Sequence, residues 1–194
     1  MLGRCALAAL AGACIVVTLA ACASGPSTPR ALLDENTGVT LNVVAAPLIF
    51  ARIQSEGVAS RRDYVTLVAL ENDNAGKYTE LLLAYRWSVV FHGVASPPEA
   101  SAGRLLIEAD GHIIDLQPLE HIPVDLSQRK DLFVPEDPQA LRRAYLIDFD
   151  TMRLIAASHE LTVRLPQETL AAPFTLWRDG RPALTQFVQQ FGHP

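Results

Sequence analysis

Residues 78 to 91, YTELLLAYRWSVVF, place an apolar side chain at every odd position from Leu81 to Phe91, while the even positions include Glu80, Arg86 and Ser88. A period of two is the pattern of an extended strand with one face buried, and a helix cannot satisfy it. The preceding run YVTLVALE at 64 to 71 and the turn-rich NDNAGK at 72 to 77 make the two segments a long hairpin. A second hairpin joins RLLIEA to HIIDLQPL through Asp110-Gly111, a pair suited to the positive φ angles of a two-residue turn.

Other segments alternate in the same way. VTLNVVA at 39 to 45 and PLIFARI at 47 to 53 read as one strand interrupted near Pro47 or as two short ones. RRAYLIDF at 142 to 149 and ELTVRLP at 160 to 166 add further strands, and FTLWRDG at 174 to 180 leads into the last segment. Between 150 and 159, Asp150 stands as a helix N-cap ahead of Met152, Ile155 and Ala156 at helical spacing. In RPALTQFVQQFG, Leu184, Phe187, Val188 and Phe191 follow i, i+3, i+4, i+7, with Pro182 at the start and Gly192 at the stop. The expected fold is therefore mainly β within the α+β class: an antiparallel sheet or β-sandwich with one short helix and a C-terminal amphipathic helix.

The first residues carry a different message. Arg4 supplies the only charge before residues 5 to 20, CALAALAGACIVVTLA, and small residues Ala20 and Ala21 then lead into Cys22. A basic start, an apolar stretch and a small-residue cleavage site are the three parts of an export signal. Leu19-Ala20-Ala21-Cys22 resembles the lipobox of bacterial lipoprotein precursors. That resemblance implies cleavage between Ala21 and Cys22, diacylglycerol on the Cys22 sulfur and acylation of the new amino terminus. Ala23, where many inner-membrane lipoproteins carry aspartate, implies the periplasmic face of the outer membrane.

The organisation that follows is a signal peptide at 1 to 21, a lipidated N-terminus and flexible tether at 22 to 38, and a single β-rich domain at 39 to 194. The mature chain holds 15 Lys+Arg against 21 Asp+Glu once Arg4 leaves with the signal, which opposes a nucleic-acid footprint. Cys5 and Cys14 leave with it too and Cys22 is consumed by lipid, so disulfides and thiolate metal sites are excluded.

Chemistry-bearing patterns are sparse. Asp148-Phe149-Asp150 offers two carboxylates as weak candidates for a cation, set against an ordinary helix cap and strand end. Glu120-His121 is an acid-base pair only if a pocket brings it together, and Tyr85 and Trp87 suit a core as well as a stacked ligand. The irregular stretch 119 to 141 mixes charges with Leu126, Phe133 and Val134, and reads equally as a partner-binding loop or as packing. No cofactor is called for. The expectation is a membrane-anchored, non-catalytic interaction or accessory component whose partners are the membrane and another envelope protein; the alternative is a small-molecule binder or hydrolase with a pocket between sheet and helix.

Overall fold

A computed structural model describes residues 28–56, 59–92, 103–123, 126, 129, 132–135, 137–166, 168 and 171–192. Among the described residues ten strands share one antiparallel sheet, joined by two helices. The long hairpin is its centre. Strand β4 (Ala59–Asn74) and strand β5 (Lys77–His92) are each 16 residues long and meet at a two-residue turn, Ala75-Gly76, with φ angles of 53° and 83°. Both residues stand in the left-handed region that such hairpin turns require, so the strands run on through most of the segment read as a six-residue turn.

The other edge of β4 is shared by two strands laid end to end. Strand β2 (Thr40–Val43) pairs with Asp73 to Leu70, and strand β3 (Leu48–Glu56) pairs with Leu67 to Ala59. Pro47 falls in the break between them, where no ladder N–H is lost. Strand β1 (Arg30–Leu33) joins the outer edge of β2. The tether expected over 22 to 38 therefore gives up Arg30–Leu33 to the sheet, because Leu32 pairs with Leu41 and packs on the core.

Strands β6 (Leu105–Ala109) and β7 (His112–Leu116) form the second hairpin, with φ of 48° at Asp110 and 82° at Gly111. Strand β8 (Leu141–Leu146) pairs with β5, strand β9 (Leu161–Arg164) with β6, and strand β10 (Phe174–Arg178) with both β9 and β3. The sheet then curls until its ends meet. Pro118 bridges to Tyr145, and the Leu119 N–H donates to the Ala144 carbonyl at 2.8 Å. The pairing circuit closes, so the architecture is one curled sheet and not two stacked ones.

Register assigns the inward face. Phe50, Val65 and Arg86 stand in one cross-strand row, and Leu48, Leu67 and Ala84 in the next. Phe174, Ile107 and Val163 fill the same interior from the other side, all fully buried. Helix α1 (Phe149–Ala157) and helix α2 (Arg181–Phe191) cover one end of it, burying Met152 and Ile155 from the first and Leu184, Phe187 and Val188 from the second. Phe187 lies 6.1 Å from Phe149 and 5.2 Å from Phe191, centroid to centroid.

The α1 cap is Asp148, not Asp150: its carboxylate accepts from the Thr151 N–H at 2.6 Å. Asp150 lies two residues on, within the first turn, and pairs with Arg153. Strand β8 ends at Leu146, so the helix begins two residues earlier than the apolar spacing suggests. Helix α2 enters through Gly180 with Pro182 in its first turn, and a Cβ on Gly180 would stand 2.6 Å from the Pro47 carbonyl carbon and 2.9 Å from the Ala46 oxygen. Because that obstacle is backbone, Gly180→Ala should lose about 1–3 kcal/mol, read as a lower urea midpoint at unchanged m-value.

The row expected to bury one face of β5 buries both between Leu81 and Arg86. The second cover includes Leu126, Leu132 and Phe133. Leu126 and Leu132 are buried there, Arg142 donates to the Leu126 carbonyl at 3.1 Å, and the Arg30 guanidinium lies 4.9 Å over the Phe133 ring. Beyond Arg86 the cover thins: Trp87 is half-buried against the core, and Val89 and Phe91 emerge exposed.

Tyr145 ties the closure together, its hydroxyl donating to the Gly103 carbonyl from a buried position. Burial pushes its phenol up to about 12 from 10.0. The unfolded phenol ionises first as pH rises, so this contribution is whole below pH 10 and is lost as pH climbs through 12. Tyr145→Phe should cost about 1 kcal/mol at pH 7 for the missing hydrogen bond and flatten the alkaline fall in stability, measured by urea unfolding across that range.

Candidate functional site

The interior is not apolar throughout. At the end of the curled sheet away from the helices, Arg52 of β3, Asp63 of β4 and Ser88 of β5 share one cross-strand row, and Arg86 stands in the next. Asp63 is fully buried. Its carboxylate takes the Arg52 Nη2 at 3.2 Å, the Arg61 Nε at 3.0 Å and the Ser88 hydroxyl at 2.7 Å. Glu168, from the segment between β9 and β10, pairs with Arg52 at 2.7 Å and also with Arg86.

Arg52 is held on every side. Its Nη1 donates to the Ala172 carbonyl at 3.2 Å, and its guanidinium lies 4.1 Å over the Phe174 ring. Three guanidinium groups and two carboxylates thus pair where burial of any one alone would be prohibitive. The arrangement clamps β3, β4 and β5 to the segment between β9 and β10. Beside it opens a cleft of about 270 Å³ lined by Arg52, Leu106, Arg164, Pro166, Glu168 and Ala172.

Among the described residues two smaller voids lie in the interior. They measure about 30 Å³ beneath Tyr145 and about 10 Å³ between sheet and helices, where Leu48, Leu67, Met152, Ile155 and Leu184 meet. The second space lies between sheet and helices, where the alternative reading expects a pocket.

A different chemistry faces outward. Ile53, Arg62 and Val89 form one cross-strand row on the outer face of β3, β4 and β5. Ile53 is 65% exposed, Val89 37%, Phe91 52% and Trp177 of β10 58%. The Arg62 guanidinium lies between two of these rings, 4.4 Å from Trp177 and 5.5 Å from Phe91. In the adjoining row Tyr64 and Trp87 stack with centroids 4.1 Å apart, and the Trp87 indole N–H donates to the Thr66 hydroxyl at 3.1 Å. Tyr85 is core, as its place in the apolar row suggested.

The remaining sequence candidates stand apart from both places. Asp148 caps α1 and Asp150 pairs with Arg153, and among the described residues no three His, Cys, Asp or Glu side chains gather to hold a metal. The cap's N–H donors hold the Asp148 carboxyl below its ordinary value. Glu120 and His121 are both exposed. Of the loop residues, Leu126 is buried, Phe133 half-buried against the core and Val134 exposed. Ala21 and Cys22 lie outside the described residues.

The buried cluster left a trace in the sequence that periodicity alone could not interpret. Arg86 falls in phase with Leu82 and Ala84, and Asp63 in phase with Val65 and Leu67, so each charge points where its neighbours are apolar. Only the closure of the sheet makes that face an interior. The fold is thus a mainly β domain with a curled antiparallel sheet and two helices, bearing an internal ion cluster and an outer aromatic face. Compared with known proteins, the chain matches no family model, no curated sequence and no solved structure.

Proposed function

We propose that this is a lipid-anchored, non-catalytic protein of the bacterial envelope, held by Cys22 on the periplasmic face of the outer membrane and serving as an interaction or accessory component for another envelope protein. The observation that carries the reading is the leader: Arg4, the apolar run 5 to 20 and Leu19-Ala20-Ala21-Cys22 in that order. Lipid on Cys22 would act as the tether, and the domain would act through its surface.

Two features of the fold support a surface role. The buried charges of Arg52, Asp63, Arg86 and Glu168 pair within their own cluster, and among the described residues the voids beneath Tyr145 and between sheet and helices are small. At the far end of the β4–β5 hairpin, Leu33 and Tyr78 stand exposed in one row with Thr40 and Asp73, beside the outer edge of β1. A partner strand can add to an edge like that, with apolar side chains alongside to give specificity.

The test is photo-crosslinking in the native envelope from positions 33 and 78, with Cys22→Ala as the mislocalised control. One partner recovered from both positions and lost in the control is the expected result. Clean lanes from both positions, with the protein correctly placed, would remove the interaction role.

The cleft beside Arg52 favours a second reading, the binding of a small anionic molecule against Arg52 and Arg164. Calorimetric titration with small carboxylates and phosphate separates the two: saturable heat abolished by Arg164→Ala supports the cleft.

A further inference from the structure

The direction of β1 relates the tether to the aromatic face. β1 is antiparallel to β2, and β2 is antiparallel to β4, so β1 runs parallel to β4. Arg30 is level with Val43 and Leu70, and the chain before it leads toward the lower-numbered end of β4, where Arg62 stands. Eight residues separate Leu70 from Arg62 along the strand, ~26 Å at ~3.3 Å per residue. Eight residues also run from Cys22 to Pro29. They span at most ~29 Å at ~3.6 Å each, so lipid on Cys22 reaches the level of Arg62.

The chemistry at that level suits a bilayer surface. Trp177, Phe91, Ile53 and Val89 present apolar area to solvent, and Arg62 lies between the Trp177 and Phe91 rings. Aromatic rings settle at the headgroup level of a membrane, and an arginine keeps its stem in apolar surroundings while its guanidinium meets phosphate. A patch this exposed would expose folded protein to association if left uncovered.

We propose that this outer face of β3, β4, β5 and β10 rests on the phospholipid headgroup layer of the membrane that holds Cys22, orienting the domain with Leu33 and Tyr78 turned away. The proposal rests on the lipid anchor proposed above. It gives the anchor a second point of contact, so the domain does not swing freely on its tether.

Full-length lipidated protein in vesicles of phosphatidylethanolamine and phosphatidylglycerol with brominated acyl chains tests it. The chain has two tryptophans. Indole emission should fall to about half of its value in unbrominated vesicles, as expected for rings at the interface. Trp177→Phe should remove that quenching, and Ile53→Asp with Phe91→Asp should reduce it while the protein still floats with the vesicles. Mass analysis of the same sample reports the lipid on Cys22. A lipidated, co-floating chain whose Trp177 is unquenched overturns this inference and leaves the anchor standing. A mature chain without lipid on Cys22 overturns the anchor and the inference together.

Discussion

Asp63→Ala should lower the stability of the domain by about 3–5 kcal/mol, the loss typical of removing one partner from a buried ion cluster. Asp63 is fully buried and meets Arg52, Arg61 and Ser88 at once. Without it, Arg52 keeps Glu168 but loses the carboxylate across the row, and the Ser88 hydroxyl loses its acceptor. Two guanidinium groups would then share one carboxylate inside the sheet. Asp63→Asn should recover part of the loss, because an amide oxygen still accepts from Ser88 although the charge is gone. Urea unfolding reads both. A loss below about 1 kcal/mol for Asp63→Ala would mean that water reaches the cluster and screens it like a surface pair.

The second large effect concerns place. On the proposed anchor, Cys22→Ala in the native host should move the protein from almost wholly membrane-bound to soluble or to an uncleaved precursor, because the sulfur proposed to take the diacylglycerol is gone. Each buried methylene contributes ~0.8 kcal/mol, so two or three acyl chains hold a protein that a single chain holds only marginally. No helix among the described residues is long and apolar enough to cross a membrane. Fractionation by ultracentrifugation and flotation checks the shift. A variant that still floats with the membranes would mean that something other than Cys22 holds the protein there.

The local chemistry of the chain was legible wherever a turn or a period belonged to neighbouring residues. Asp110-Gly111 turns as its backbone preferences require, and Leu184, Phe187 and Val188 lie on one face of α2. The α1 boundary moved because two aspartates, 148 and 150, could each cap, and the end of β8 decides between them. Strand β1 was hidden by its length of four residues and by the Pro- and Gly-containing sequence around it; only pairing with β2 makes Arg30–Leu33 extended.

The site was less legible, for a physical reason. Arg52, Asp63, Arg86 and Glu168 come from three strands and a connecting segment, and they meet through the pairing of β3, β4 and β5 and of β10 with β3. Until the sheet closes, the even positions of β5 read as a solvated face. Cover from Leu126, Leu132 and Phe133 likewise explains why Tyr85 is core while Phe91, on the same row, is exposed.

The N-terminal peptide of the mature protein, isolated from membranes of its native host and weighed by mass spectrometry, tests the central claim most directly. The account predicts a peptide that begins at Cys22 and carries a diacylglyceryl group with an additional acyl chain on its amino nitrogen. A peptide that begins elsewhere, or an unmodified Cys22, would contradict it.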